Sequence, residues 1–210
     1  MTIPLRRRLF YLYNGVRRRL EDLVARTGFY DRRGIPPPAI KRRIVREYAA
    51  RYGADVFVET GTYMGEMVAA MLRRFRHIYS VELSDVLYEK AAARFARHPQ
   101  VKVFHGDSAT QMGRILREAE GRRTLFWLDA HWSGGSTARG DVVSPIVSEL
   151  DQILSPSTGT PVILIDDAYC FVGANDYPTV DEICRQVARL RPDYIVSVQS
   201  DVIRIIPSLS

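Results

Sequence analysis

DVFVETGTYMGEMV, residues 55–68, decides how the rest of the chain is read. The apolar run VFV closes on Glu59 and Thr60. It then passes two glycines, Gly61 and Gly65, and opens into GEMVAAMLRRF, whose apolar spacing predicts a helix. A run apolar on every residue suits a strand buried on both faces. Glycines at the exit of such a strand let the backbone turn sharply and approach a ligand without a Cβ in the way. A G-x-x-x-G loop alone is weak evidence for a binding site. It gains weight from the residues on its C-terminal side.

Downstream, strand and helix patterns alternate. HIYSVEL, VKVFHG, TLFWLDA and PVILIDDA read as strands. Between and after them, SDVLYEKAAARFAR, SATQMGRILREAEG, SPIVSELDQIL and TVDEICRQVARL read as helices, with Ser84 and Thr179 as N-caps. Such alternation predicts a parallel sheet covered on both faces. The stretch YIVSVQSDVIRIIP departs from it. Two strands joined by a tight turn at Ser200 and Asp201 must be antiparallel.

Upstream, AIKRRIVREYAARY (39–52) reads as a helix stopped by Gly53. Prolines at 36–38 predict an extended segment and a boundary. We therefore divide the chain into a basic N-terminal helical arm with its Pro-rich linker (1–38) and a domain (39–210). In residues 5–26, an apolar helical stripe lies opposite the arginines at 6–8 and 17–19. Such a helix can pack on the domain, join a second subunit into a homo-oligomer, or lie on a membrane surface. Residues 1–50 hold 13 Lys and Arg against 4 Asp and Glu, whereas the remainder holds 17 against 20. The net charge of +6 thus belongs to the arm, and the body is slightly acidic. The 210 residues, 46% hydrophobic, suffice for one ordinary core, and no apolar run reaches the roughly 20 residues a membrane span needs. No cleavable leader pattern is present, so Cys170 and Cys184 are expected as reduced thiols and the compartment as cytoplasmic, with membrane association through the arm as an option.

Open parallel sheets bind ligands beyond the carboxyl ends of their strands. Those ends read Glu59 to Gly65, Glu82, Gly106-Asp107-Ser108, Asp129-Ala130-His131-Trp132, and Asp166-Asp167. Buried carboxylates are costly without a partner, so acids placed there are expected to meet water, ligand or metal. Glu82 suits the two hydroxyls of a ribose, and Asp107 suits an adenine amino group. Asp129 is a candidate base or ligand. His131 is a candidate general base, or a residue that orients its loop. Trp132, Tyr169 and Tyr177 would line an acceptor pocket or anchor loops. The small, polar stretch at 133–140 reads as a mobile lid.

VETGTYMGEMV, IYSVELS and FHGDSA resemble the donor-binding motifs of class I S-adenosylmethionine (SAM) methyltransferases, and the similarity runs in order over residues 40–207. The resemblance implies a Rossmann-like α/β fold. Its mostly parallel seven-stranded sheet would carry helices on both faces and a C-terminal antiparallel hairpin. It also implies methyl transfer with S-adenosylhomocysteine (SAH) as by-product. Carried over by motif, Glu59, Gly61 and Gly65 border the methionine part of SAM, Glu82 binds the ribose, and Asp107 with Ser108 lies near the adenine. Thr62, Tyr63, Leu83, Gly106 and Asp129 complete the expected donor contacts. Thr62 and Tyr63 stand where many relatives have more glycine.

WLDAHWSGG and ILIDDAY resemble motifs of the macrocin-type sugar O-methyltransferases, which are metal-dependent. The matching metal ligands are Asp129, Asp166 and Asp167. Oxygen ligands favour Mg²⁺, which would hold an acceptor and acidify its hydroxyl. The acceptor expected from this resemblance is a small molecule or a sugar. A nicotinamide-dependent oxidoreductase is disfavoured, because no G-x-G-x-x-G is present. A nucleic-acid-binding protein or nucleic-acid methyltransferase led by the basic arm is disfavoured by the acidic body. A non-catalytic scaffold is disfavoured by the full set of strand-end acids.

Overall fold

The computed structural model describes residues 36–129, 145–174 and 176–208. The proposed arm helix, His131, Trp132 and the glycine-rich stretch at 133–140 lie outside the described residues.

Seven strands form one sheet: β1 (Val56–Thr60), β2 (His77–Glu82), β3 (Val101–His105), β4 (Thr124–Leu128), β5 (Val162–Ile165), β6 (Tyr194–Gln199) and β7 (Val202–Pro207). Their spatial order is β3-β2-β1-β4-β5-β7-β6. The first five are mutually parallel, and β7 runs antiparallel to both β5 and β6. Ser200 and Asp201 form the hairpin turn with φ of 50° and 56°. Two successive left-handed residues are what a tight turn between twisted strands requires.

Side chains alternate across the central strands and split the core into two layers. Val56 and Val58 face one layer with Phe126, Leu128, Ile163 and Ile165. Phe57 faces the other with Leu125, Trp127 and Leu164. The second layer is covered by α1 (Pro38–Arg51), α2 (Glu66–Met71) and the end of α3 (Asp85–Phe95). The first is covered by α4 (Ser108–Glu118), α5 (Ile146–Ile153) and α6 (Val180–Leu190). No helix among the described residues is long and apolar enough to cross a membrane.

Caps explain where helices begin. Ser84 accepts from the Leu87 N–H, and Thr179 forms a reciprocal capping box with Glu182. α1 starts one residue earlier than expected. Pro37 stands at its N-cap position without a side-chain cap bond, and Pro38 occupies its first position, where the missing N–H costs nothing. The helix after the glycine loop is shorter than its apolar pattern suggested and ends at Met71. Both Arg74 and Phe75 donate backbone N–H groups to the Met71 carbonyl, and this turn seats the Phe75 ring 5.1 Å from that of Phe57.

Candidate active site

Strand order reverses between β1 and β4, and open parallel sheets bind ligands at such a switch point, beyond the carboxyl ends of the strands. Thr60 and Leu128 are register partners, as are Leu128 and Ile165. The acids at the next positions are therefore neighbours. The Asp129 N–H donates to the Thr60 carbonyl at 3.2 Å, and the Asp166 N–H to that of Leu128 at 2.9 Å.

The glycine loop is held from three sides. The N–H groups of Gly61 and Thr62 both donate to the Val81 carbonyl at 3.0 Å. The Tyr63 N–H donates to Glu82 Oε2 at 2.7 Å, and the Arg94 guanidinium donates to the Met64 carbonyl. Tyr63 takes φ of 46°, a left-handed conformation unusual for a bulky residue, and its side chain is exposed. Gly65 (φ 70°) lies so close to α3 that an added Cβ would fall 2.7 Å from the Phe95 ring. Both its conformation and its contact thus require glycine.

Glu82 is fixed at the end of β2. One oxygen takes the Tyr63 N–H and the other the Ser84 N–H at 3.0 Å. Each carboxylate oxygen retains accepting capacity toward a diol. Leu83 beside it is half exposed. Gly106 follows β3 with φ of 123°. Asp107 has a role that its position at a strand end did not suggest: its Oδ2 caps α4 by accepting from the Thr110 N–H and hydroxyl at 2.7 and 2.8 Å. Ser108 is the first residue of that helix.

Glu59 lies beneath the loop rather than on its rim, 3% exposed. It accepts from the Ser80 hydroxyl at 2.9 Å, and Ser80 is in turn bonded to Thr62 at 2.7 Å. Burial pushes its carboxyl well above the usual range. The Ser80 bond opposes that rise, and the charges of Asp129 and Glu82 add to it.

Asp129, Asp166 and Asp167 offer carboxylate oxygens that all lie within 4.8 Å of one another. Hard oxygen donors at this spacing fit a divalent cation such as Mg²⁺ in chemistry. Burial raises the Asp166 carboxyl to about 7, with Lys41 opposing and Asp167 and Asp129 reinforcing the rise. Asp167 has φ of 53° and opens a short 3₁₀ turn, Ala168–Cys170. That turn is braced by Asp201 of the hairpin: its carbonyl accepts from the Ala168 N–H and its Oδ1 from the Tyr169 N–H, at 3.0 and 2.9 Å.

The residue that sequence reasoning missed is Lys41. Its ammonium lies 2.7 Å from Asp166 Oδ1 and 2.9 Å from Asp167 Oδ1. A signal for it existed. Lys41 sits three and four residues before the buried Ile44 and Val45, on the apolar stripe of α1, where a cation needs a buried partner. Of the expected aromatic residues, Tyr169 is exposed beside the triad, and Tyr177 packs edge-on against Phe171 as a loop anchor. Cys170 and Cys184 are free thiols.

The sheet order and the antiparallel seventh strand match a Rossmann-like methyltransferase α/β fold. Solved structures agree. The O-methyltransferase TomG from Streptomyces achromogenes, in complex with SAM, superposes with a TM-score of 0.57 at 17% identity, covering 84% of this chain and 82% of that one. An O-methyltransferase from Bacillus cereus, in complex with SAH, gives 0.57 at 16%, covering 91% and 89%. An SAH-bound methyltransferase from Podospora anserina gives 0.56 at 15%, covering 100% and 99%. A scan against family models gives no match, and neither does a search of curated proteins.

Proposed function

We propose that this chain is a SAM-dependent methyltransferase acting on a hydroxyl oxygen of a small molecule or sugar, as the macrocin-type resemblance suggests. One observation carries the reading. A tethered carboxylate for a ribose, Glu82, and a cluster of three aspartates lie on adjoining strand ends, with the glycine loop between them. The first half suits a nucleoside and the second an acceptor hydroxyl. The fold shared with two O-methyltransferases supports the same assignment.

Transfer to oxygen forms a C–O bond, breaks the donor's S–CH₃ bond and releases the hydroxyl proton. Asp129, at the end of β4, would accept that proton if it is not engaged as a metal ligand, and His131 is the second candidate base. Asp129, Asp166 and Asp167 would hold a Mg²⁺, whose chemistry when bound is to lower the pKa of the hydroxyl. Calorimetric titration with SAH, with and without Mg²⁺ and with NADH as control, tests the assignment. Binding of SAH and not NADH is expected. No binding of SAH under either condition overturns it.

Asp167→Asn is expected to lower metal-dependent turnover by about 100-fold while changing SAH affinity less than about threefold, because one anionic ligand of three is lost at a distance from the nucleoside half. Turnover assays across a Mg²⁺ series, paired with SAH calorimetry, check both parts. Loss of SAH binding with unchanged metal response contradicts it.

We also propose that residues 1–38 form an arm distinct from the domain, and that its basic, amphipathic helix mediates self-association or a peripheral membrane contact. Deleting residues 1–27 is expected to abolish sedimentation with anionic vesicles if the membrane is its partner. Conversion of a dimer to a monomer on deletion assigns it to self-association instead.

A further inference from the structure

We propose that Lys41 is a built-in cation that competes with a divalent ion for the aspartate triad, so that metal enters only when its side chain swings away. The inference rests on the metal-binding reading of Asp129, Asp166 and Asp167. It adds a residue from α1 that no metal-ligand motif includes.

The geometry makes the competition direct. The Lys41 ammonium contacts Oδ1 of both Asp166 and Asp167, two of the three carboxylates that would ligate a metal. A Mg²⁺ bonded to either oxygen at about 2.1 Å would lie within about 5 Å of the ammonium. Positive charges that close repel strongly where water is scarce. The side chains concerned are 15%, 8% and 10% exposed, so little solvent screens them.

The lysine is also well placed to move. It occupies the first turn of α1, which is fixed by Ala39, Ile40, Ile44 and Val45 against the sheet. Only its four-carbon stem needs to rotate, and the backbone stays packed. Its ion pairs hold Asp166 and Asp167 together, since adjacent buried carboxylates would otherwise repel. Lys41 thus preserves the shape of the acceptor half at the expense of metal affinity.

The test is Mn²⁺ binding, read from the loss of the free-ion signal in electron paramagnetic resonance, on the full chain and on Lys41→Met and Lys41→Gln. Both variants are expected to bind Mn²⁺ at least tenfold more tightly than the wild type, and Lys41→Arg to bind no more tightly. Gln keeps a polar head, so it serves if Met impairs folding, and unchanged SAH affinity confirms an intact donor half. Adding Asp166→Asn to Lys41→Met should abolish the gain. Equal Mn²⁺ affinity in wild type and both neutral variants overturns the competition while leaving the metal site standing. No Mn²⁺ binding by any form up to millimolar concentrations overturns both.

Discussion

Glu82→Ala is expected to weaken SAH binding by at least about 100-fold, measured by calorimetry on folded protein. Two losses combine. A ribose diol would forfeit two hydrogen bonds to a charged acceptor, each worth about 1.5–3 kcal/mol. The backbone N–H groups of Tyr63 and Ser84 would lose the carboxylate they donate to, at 2.7 and 3.0 Å. Tyr63 already holds φ of 46°, so its loop conformation depends on that tether. Glu82→Gln separates the two effects, because one amide oxygen can still accept from Tyr63 while the charge is gone. An intermediate loss is expected. Affinity unchanged in Glu82→Ala would remove Glu82 from the donor site and with it the strongest support for a nucleoside ligand.

Glu149→Gln is expected to stabilise the fold at pH 8.5 by up to about 3 kcal/mol and to leave stability nearly unchanged at pH 4.5. Glu149 lies on α5, 1% exposed, with Oε1 lacking a hydrogen-bond partner among the described residues. Burial raises its carboxyl to about 7, partly opposed by the Ser108 hydroxyl and reinforced by the charge of Asp107. In the unfolded chain the same group ionises near 4.5. Between these values the folded state holds a proton that the unfolded state has released. Stability therefore falls as pH rises through this window, and the full cost is present above 7. About 2.5 pKa units correspond to about 3 kcal/mol. Glutamine resembles the protonated acid in shape and carries no such cost. Urea unfolding of both proteins at the two pH values reads the difference directly. Asp166, also raised to about 7, is common to both and cancels. A stability gap independent of pH would show that Glu149 stays ionised when buried.

Much of this was readable in the sequence, for identifiable reasons. Strands such as VFV, LFWL and VILI are apolar on every residue because both faces are covered, and their order with the intervening helices leaves few topologies. The hairpin was legible because Ser200 and Asp201 tolerate left-handed backbone. The acids after β4 and β5 were legible as a cluster because parallel strands end on one edge of the sheet. Lys41 showed only as a cation on the apolar stripe of α1; its partners were not legible, since they lie 125 and 126 residues away and only the packing of α1 brings them together. Glu149 was hidden by its helix, where a glutamate is ordinarily a surface residue. The short helix after Gly65 ended early because Phe75 is needed against Phe57, a tertiary demand that local periodicity does not record.

The bracing of the Ala168–Cys170 turn by Asp201 has a consequence for the order in which the molecule is completed during synthesis. Apart from Asp129, everything expected to touch the nucleoside, from Glu59 to Ser108, precedes Asp201 by more than 90 residues. At about 5–20 residues per second, a ribosome takes about 5–20 s to cover that interval. Strands β1, β2 and β3 are then already available to pair, whereas the loop carrying Asp166 and Asp167 waits for a brace not yet made. The nascent chain therefore carries the parts of its proposed nucleoside half well before the proposed acceptor half is fixed in shape. A chain interrupted before the hairpin would keep the glycine loop and Glu82 but lack the strand that holds the aspartates in register.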